Sequence, residues 1–307
     1  MDRRYHRGEI AVQERAGVTD RAAHAERAIG TTVPAVAAAF LAAQPMVVVG
    51  AADGAGRVWA TVLTGEPGFL RAVGDTEVTV AARPRPADPL AAVLADASGT
   101  GARVGMIAIE PGTRRRMRMN GTAHSTDGGL RVDLDQVYAN CPKYISKRTP
   151  AAAAGDGGGG GAAAVRGTEL TAPQRAAVTS ADTFFVATAD AEGNTDASHR
   201  GGNPGFVHVP APDRIVWPDY AGNSMFMTAG NLAVNPAAGL VFPDWRTGGL
   251  LHVTGTARTI WDADRTAAYP GAQRLMELTV TEVVEVAGAT GLVWSVPEYS
   301  RHSPELS

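Results

Sequence analysis

The chain has 307 residues, a formal net charge of -3 and one cysteine, Cys141. That length allows two cores of about 100 to 150 residues each, and the near-neutral balance excludes a general nucleic-acid binder, which would be clearly basic. A lone cysteine cannot form an intrachain disulfide. With no apolar run near the roughly 18 to 20 residues of a membrane span and no signal-peptide core after MDRRYHRGE, the expectation is a soluble cytoplasmic protein with no membrane and no nucleic-acid partner.

Residues 1–30 are polar, and GEIAVQERAGV and RAAHAERAIG place Ile, Val and Ala at three- and four-residue spacing, as in helices packed on the outside of a barrel. PAVAAAFLAA is a helix with Pro at its first turn. PMVVVGAAD and RVWATVLTG are strands joined by DGAG, and TEVTVAARP is a third; ADPLAAVLADA is a second helix. ARVGMIAIEP and RMRMNGTAHS form a hairpin that turns through GTRRR. QVYANCPKYISKR (136–148) reads as the last strand of this first unit entering a turn at Pro142, and TPAAAAGDGGGGGAAAVRG (149–167) as a flexible linker. Residues 184–261 then hold short β-rich segments (FFVATA, GFVHV, RIVWP, GLVFPDW, LLHVTGTARTI) between Gly, Asn, Asp and Pro turns. One helix near 225–231 interrupts them. This is the pattern of a small antiparallel barrel.

The two halves repeat one another. VVVGAAD ends at Asp53 and FFVATAD at Asp190 (190 - 53 = 137), while GEPGF begins at Gly65 and GNPGF at Gly202 (202 - 65 = 137). NGTAH begins at Asn120 and TGTAR at Thr254 (254 - 120 = 134). Several motifs in one order and nearly one spacing indicate a duplicated domain. The domains are therefore 1–148 with a helical N-terminal extension, the linker 149–167, and 168–307.

No GxSxG is present and Cys141 has no histidine near it in sequence, which argues against acyl transfer by a triad. The seven histidines lack HxH or HExxH spacing, so no metal site is expected, and neither a P-loop nor a Rossmann fingerprint occurs. What remains is Ser198, His199 and Arg200, then Trp217, Asp219 and Tyr220, then Asn223, Ser224 and Asn231. Arginine with Ser and Asn donors suits a phosphate, and a Trp or Tyr beside them can cover a flat ring. A barrel rim of mutually satisfied polar residues is the alternative reading.

The segments ATADAEGN, DASHRGGNPGF, GNLAVNP and FPDWRTGGLLHVTGTARTIW resemble the pyridoxamine 5'-phosphate oxidase-like family of FMN-binding split barrels. GEIAVQERAGV, QPMVVVGAADGAGRVWATVLTGEPGF and NCPKYI are similar to a tandem bacterial branch of it. The resemblance implies a mostly β fold with peripheral helices, in which two tandem split β-barrels form an intrachain pseudo-dimer with FMN in the cleft between them. A higher oligomer stays open. The implied function is an FMN-dependent oxidoreductase passing hydride or electrons between flavin and a small-molecule substrate, with NADH or NADPH as a possible reductant. A non-catalytic flavin or haem carrier and a deazaflavin-dependent reductase are the alternatives.

In this resemblance Ser198 begins the flavin-contacting strand, Arg200 shares its face by the strand period, and Trp217 and Pro218 lie on the strand flanking the ring. The family's Ser-Arg-Lys phosphate clamp is replaced by Gly222, Asn223, Ser224 and Met225. Where the family's partner subunit reaches across, the second half has Leu250 and the first half Arg116 (250 - 134 = 116). Arg200 and Ser198 correspond to Leu63 and Thr61. The expectation is one competent cleft per chain, walled by the second barrel, with Arg116 and Arg118 contributed by the first and Lys143 and Tyr144 closing it. No catalytic acid or base stands out beyond His199 as a candidate.

Overall fold

The computed structural model describes residues 4–97, 99–139, 141–151, 164–222 and 224–306. Three helices, α1 (Arg7–Arg15), α2 (Thr19–Glu26) and α3 (Ala35–Ala42), precede β1 (Met46–Ala52), β2 (Val58–Thr64), β3 (Leu70–Val73) and β4 (Glu77–Val80). A short helix α4 (Ala91–Ala95) leads into β5 (Ala102–Glu110), β6 (Arg115–Thr126) and β7 (Gly129–Ala139). After the two short strands β8 (Pro150–Ala151) and β9 (Val165–Gly167), the second half contains α5 (Ala172–Ser180), β10 (Thr183–Ala189), β11 (Thr195–Gly201), β12 (His208–Ala211) and β13 (Arg214–Asp219). It continues through α6 (Met227–Val234), β14 (Ala237–Pro243), β15 (Leu250–Ile260), α7 (Ala263–Ala267), β16 (Arg274–Val286) and β17 (Val293–Trp294).

The duplication read from the sequence is repeated in the hydrogen-bond topology. The first sheet runs β2-β1-β5-β6-β7-β4-β3 and the second β11-β10-β14-β15-β16-β13-β12, the same path strand for strand. The register agrees as well: Met46 pairs with Thr64 and Thr183 with Gly201, both partners displaced by 137. Each long central hairpin carries a bulge at the same place, between Asn120 and Gly121 and between Thr254 and Gly255. At both bulges the backbone of the next strand lies where a Cβ would go, against Asp133 and Thr279 respectively, which only glycine tolerates. These are two split barrels.

The apolar runs that open each half are continuous rather than alternating, because both of their faces are buried. On β1, Val47 and Val49 fill the first barrel while Met46 and Val48 join a separate cluster between the halves. On β10, Phe184 and Val186 fill the second barrel while Phe185 and Ala187 join the same cluster. The contact between halves is reciprocal: Gly105 lies against Asp196 and Ala197, and Gly239 (105 + 134) lies against Val58 and Trp59. The chain is thus its own pseudo-dimer.

Four sequence readings are corrected or trimmed. Of the N-terminal helices, expected on the outside of a barrel, α1 crosses to the second half, where Gly8 and Gly230 of α6 meet with no room for a Cβ on either, while Ala22 of α2 clusters with Tyr138 of β7 in the first half. The segment expected to be linker begins and ends inside structure, since β8 pairs with β17 and β9 with β16, while 152–163 lie outside the described residues. The helix expected over ADPLAAVLADA is reduced to the five residues of α4. Finally β16, the longest strand at 13 residues, and β3 carry the sheets although neither is marked in the sequence reading. Among the described residues no helix is long and apolar enough to cross a membrane.

Candidate functional site

A cavity of about 440 Å³ opens between the halves. On β6 Met117 and Met119 point into the first core, so Arg116, Arg118 and Asn120 must leave that barrel and meet the second. Across from them β11 presents Ser198, His199 and Arg200. The end of β13 adds Pro218, Asp219 and Tyr220, the loop after it adds Ser224 to Phe226, and α6 begins at the cavity wall with Met227 and Thr228. From the first half come Cys141, Lys143 and Tyr144, and from the α1–α2 corner Arg15 and Arg21.

The electrostatics are one-sided. Arg118 pairs with Asp196 and lies over the Tyr138 ring at 5.0 Å. Arg116 and Arg200 have no carboxylate in ion-pair contact among the described residues. Arg116 donates to the Cys141 carbonyl at 2.7 Å and contacts His199 Nδ1 at 3.1 Å; Arg200 donates to the His199 carbonyl and to Thr228 Oγ1, each at 3.1 Å. Burial, then the neighbouring Arg118 and Arg200, push the Arg116 guanidinium down to about 9, and burial lowers Arg200 as well. Burial followed by the charges of Arg116, Arg200 and Arg148 holds His199 well below its ordinary value, so the ring is neutral at pH 7. With Arg116 donating to Nδ1, its proton is on Nε2.

Several donors here are buried without a partner: Arg116 Nε, Arg200 Nε, His199 Nε2, and Arg274 Nε and Nη1. Unmet buried donors cost roughly 1 to 3 kcal/mol each, more when charged, and unopposed cations cost more again. An anionic ligand with several acceptor oxygens relieves both costs. The α6 N-terminus, with no side chain capping it, points its dipole the same way. Three of the four non-glycine residues with positive φ among those described, Tyr144, Ser224 and Phe226, line this cavity. Such backbone is costly and concentrates where function fixes it. Donor chemistry, size and flanking rings therefore fit a phosphorylated flavin.

The structure brings together Ser198, His199, Arg200, Pro218, Asp219, Tyr220, Ser224, Arg116, Arg118, Lys143 and Tyr144. Tyr144 stacks on Tyr220 with centroids 5.0 Å apart and donates to the Ala221 carbonyl at 3.2 Å, so the first half does cover this side of the second. Two expected residues are elsewhere. Trp217 faces the opposite way from Pro218 on β13 and is fully buried in the second core, edge-on to Phe184 at 5.5 Å. Asn231 donates to Thr188 Oγ1 at 3.0 Å and contacts His6 at 2.8 Å, lining a different cavity. Asn223 lies outside the described residues.

The sequence reading also missed Arg274, which opens β16, approaches Asp219 at 3.4 Å and sits over Phe226 and Trp261 at 4.6 and 5.1 Å. A lone cation at the head of the alternating run RLMELTVTEVVEV is its only sequence signal.

The pattern of the pyridoxamine 5'-phosphate oxidase family matches residues 170–301. Among curated proteins, no sequence matches the chain. The fold is similar to a putative pyridoxamine 5'-phosphate oxidase from Lactobacillus delbrueckii (21% identity, TM-score 0.31, covering 38% of this chain and 93% of that one). It is also similar to the FAD binding protein from Mycobacterium smegmatis (16%, TM-score 0.28, 39% and 98%). A third likeness is to HutZ, the heme storage protein from Vibrio cholerae (14%, TM-score 0.26, 44% and 99%).

Proposed function

We propose, from the match of residues 170–301 to the pyridoxamine 5'-phosphate oxidase family, that the chain is an FMN-binding oxidoreductase with one working cleft. The observation that carries the reading is the pair of buried guanidiniums without a carboxylate in ion-pair contact among the described residues, Arg116 and Arg200, each with an unmet Nε, beside Arg274 and around one cavity walled by aromatic rings. Arg200, Ser224 and the free N–H groups at the start of α6 would hold the phosphate. Arg116 and Arg118, contributed by the other barrel, would hold the cofactor's anionic edge. Tyr144 and Tyr220 exclude water from one side.

When bound, FMN supplies two-electron chemistry at its isoalloxazine ring. The protein contributes a positive field fixed in place before binding, which favours the anionic reduced form without reorganisation. His199, neutral and held by Arg116, presents its Nε2–H as a donor in the same cavity. A small-molecule substrate, with NADH or NADPH as reductant, completes the proposal.

The visible spectrum of the purified chain tests it. Flavin bands with one equivalent of FMN released on denaturation are expected. A Soret band instead would assign haem, and a colourless protein that binds deazaflavin would move the reading to that cofactor. Oxidation of NADH or NADPH by the FMN-loaded protein separates enzyme from carrier.

A further inference from the structure

A second cavity, about 900 Å³, lies behind the first. Arg118 lines the cationic cleft and its partner Asp196 lines this one, so their ion pair forms part of the partition. The polar wall is Glu9 of α1 with Asn120 and Asp196, and the apolar wall is Tyr5, Ile29 and Met227. Exposed Thr31 and Asn194 stand at its mouth.

On the wall formed by Glu9, Asn120 and Asp196 the unmet groups are acceptors, the reverse of the cleft; Arg103, also in the lining, is paired with Asp135 and leaves only its Nε unmet. Asn120 is 7% exposed and its Nδ2 donates to Gln136 at 3.0 Å and to Asp196 at 3.4 Å, which leaves its Oδ1 buried with no donor. Glu9 is 4% exposed and accepts the His6 backbone N–H at 2.9 Å, but no cation is its own. The His6 ring is 3.8 Å away, yet its Nδ1 accepts from the Gly8 N–H and its Nε2 bonds Asn231, so both ring nitrogens are engaged elsewhere. Asp196 is matched by Arg118, and Asp190 is occupied by the N–H groups of its own turn, from Glu192 and Asn194. Tyr5 completes the groups that face Glu9. Burial, with the charges of Asp196 and Asp190, pushes Glu9 up to about 8 despite the His6 N–H and Arg118.

We propose that this cavity binds a small primary amine, its ammonium against Glu9 and Asn120 and its alkyl body along Tyr5, Ile29 and Met227. An ammonium offers three donors and no acceptor, which matches what the wall lacks. An anion would meet acceptors on this wall, the cations of the lining, Arg4 and Arg103, standing outside it. Because Glu9 is largely protonated at pH 7 without a ligand, seating a cation beside it expels that proton to solvent and leaves a paired carboxylate. Affinity should therefore rise between pH 6 and 8.

The test is calorimetric titration of the full-length protein with 1,4-diaminobutane, and with 1,4-butanediol as the uncharged control, at pH 7 in two buffers of different ionisation enthalpy. One diamine site with release of close to one proton is expected, and no diol binding. Glu9→Gln should weaken the diamine at least tenfold and remove the proton release, with FMN retention unchanged; Asn120→Leu should weaken it too, and serves if the first variant does not fold. Absence of diamine binding, equal binding of the diol, or full affinity in the folded variants would overturn the proposal.

Discussion

The duplication supplies two versions of the same inter-barrel cleft, and they have gone opposite ways. Where the second barrel has His199 and Arg200, the first has Val62 and Leu63; where the first reaches over with Arg116, the second offers Leu250. The second version is reduced to a pocket of about 150 Å³, with Leu63 packed among Leu90 and Leu94 and with Thr61 bonded to Asp88. The neighbouring amine cavity follows the same rule. Its Asp196 corresponds to Trp59 (196 - 137), which fills the space with an indole 1% exposed and bonded to Asp53 at 3.1 Å. One side of the interface is filled, with His252 Nε2 as a buried unmet atom near Asp88, and the other carries several buried, unmet polar groups around open cavities. A single chain can divide these tasks because its two halves need not have the same sequence, as a symmetric homodimer's must.

Breaking the comparison begins with the filled side. Trp59→Ala should cost about 3 to 5 kcal/mol, read in denaturant melts, because its space cannot collapse. Leu250→Arg should cost about 3 kcal/mol for a cation buried without an anion of its own, and flavin titration should still find one site; two equivalent sites would sink the asymmetric picture. On the open side, Arg116→Leu installs the residue of the filled cleft. It should weaken FMN by about 10- to 100-fold, the worth of a charge-assisted hydrogen bond, while thermal stability of the ligand-free protein holds or rises.

Two smaller effects sharpen the same contrast. Glu9 keeps its proton in the folded state up to about 8 but only to about 4.3 when unfolded. The native state therefore binds the extra proton between those values, and its contribution is full below the lower one and lost as pH climbs through the higher. A Tm falling by a few degrees between pH 5 and 8, and flattened in Glu9→Gln, is expected. Tyr144→Ala should loosen FMN only several-fold, about 1 kcal/mol for one aromatic contact, measured as flavin dissociation rate.

Much of this architecture was legible beforehand. Turn glycines and alternating or continuous apolar runs mark strands locally, and the repeated GEPGF and GNPGF elements mark the duplication without any knowledge of contacts. Arg116 could be named because a fixed offset placed it opposite Leu250. Trp217 could not be placed rightly by the same means, since a one-residue change of parity on β13 separates core from cleft. Glu9 and Arg274 were invisible for a different reason: each meets residues of other elements, Glu9 those of β6 and β11 and Arg274 those at the end of β13 and in the loop before α6, and nothing in their own neighbourhoods announces it. The crossing of α1 to α6 rests on two glycines, Gly8 and Gly230, that have no local role to betray them.

That crossing also sets an order of events during synthesis. The docking surface of α1 is completed only when Gly230 has been made, 222 residues after Gly8 (230 - 8). α1 therefore waits for its seat while the whole of the first barrel is made. Because Glu9 comes with it, the amine cavity, unlike the first barrel, cannot form until residues of the second half have been made.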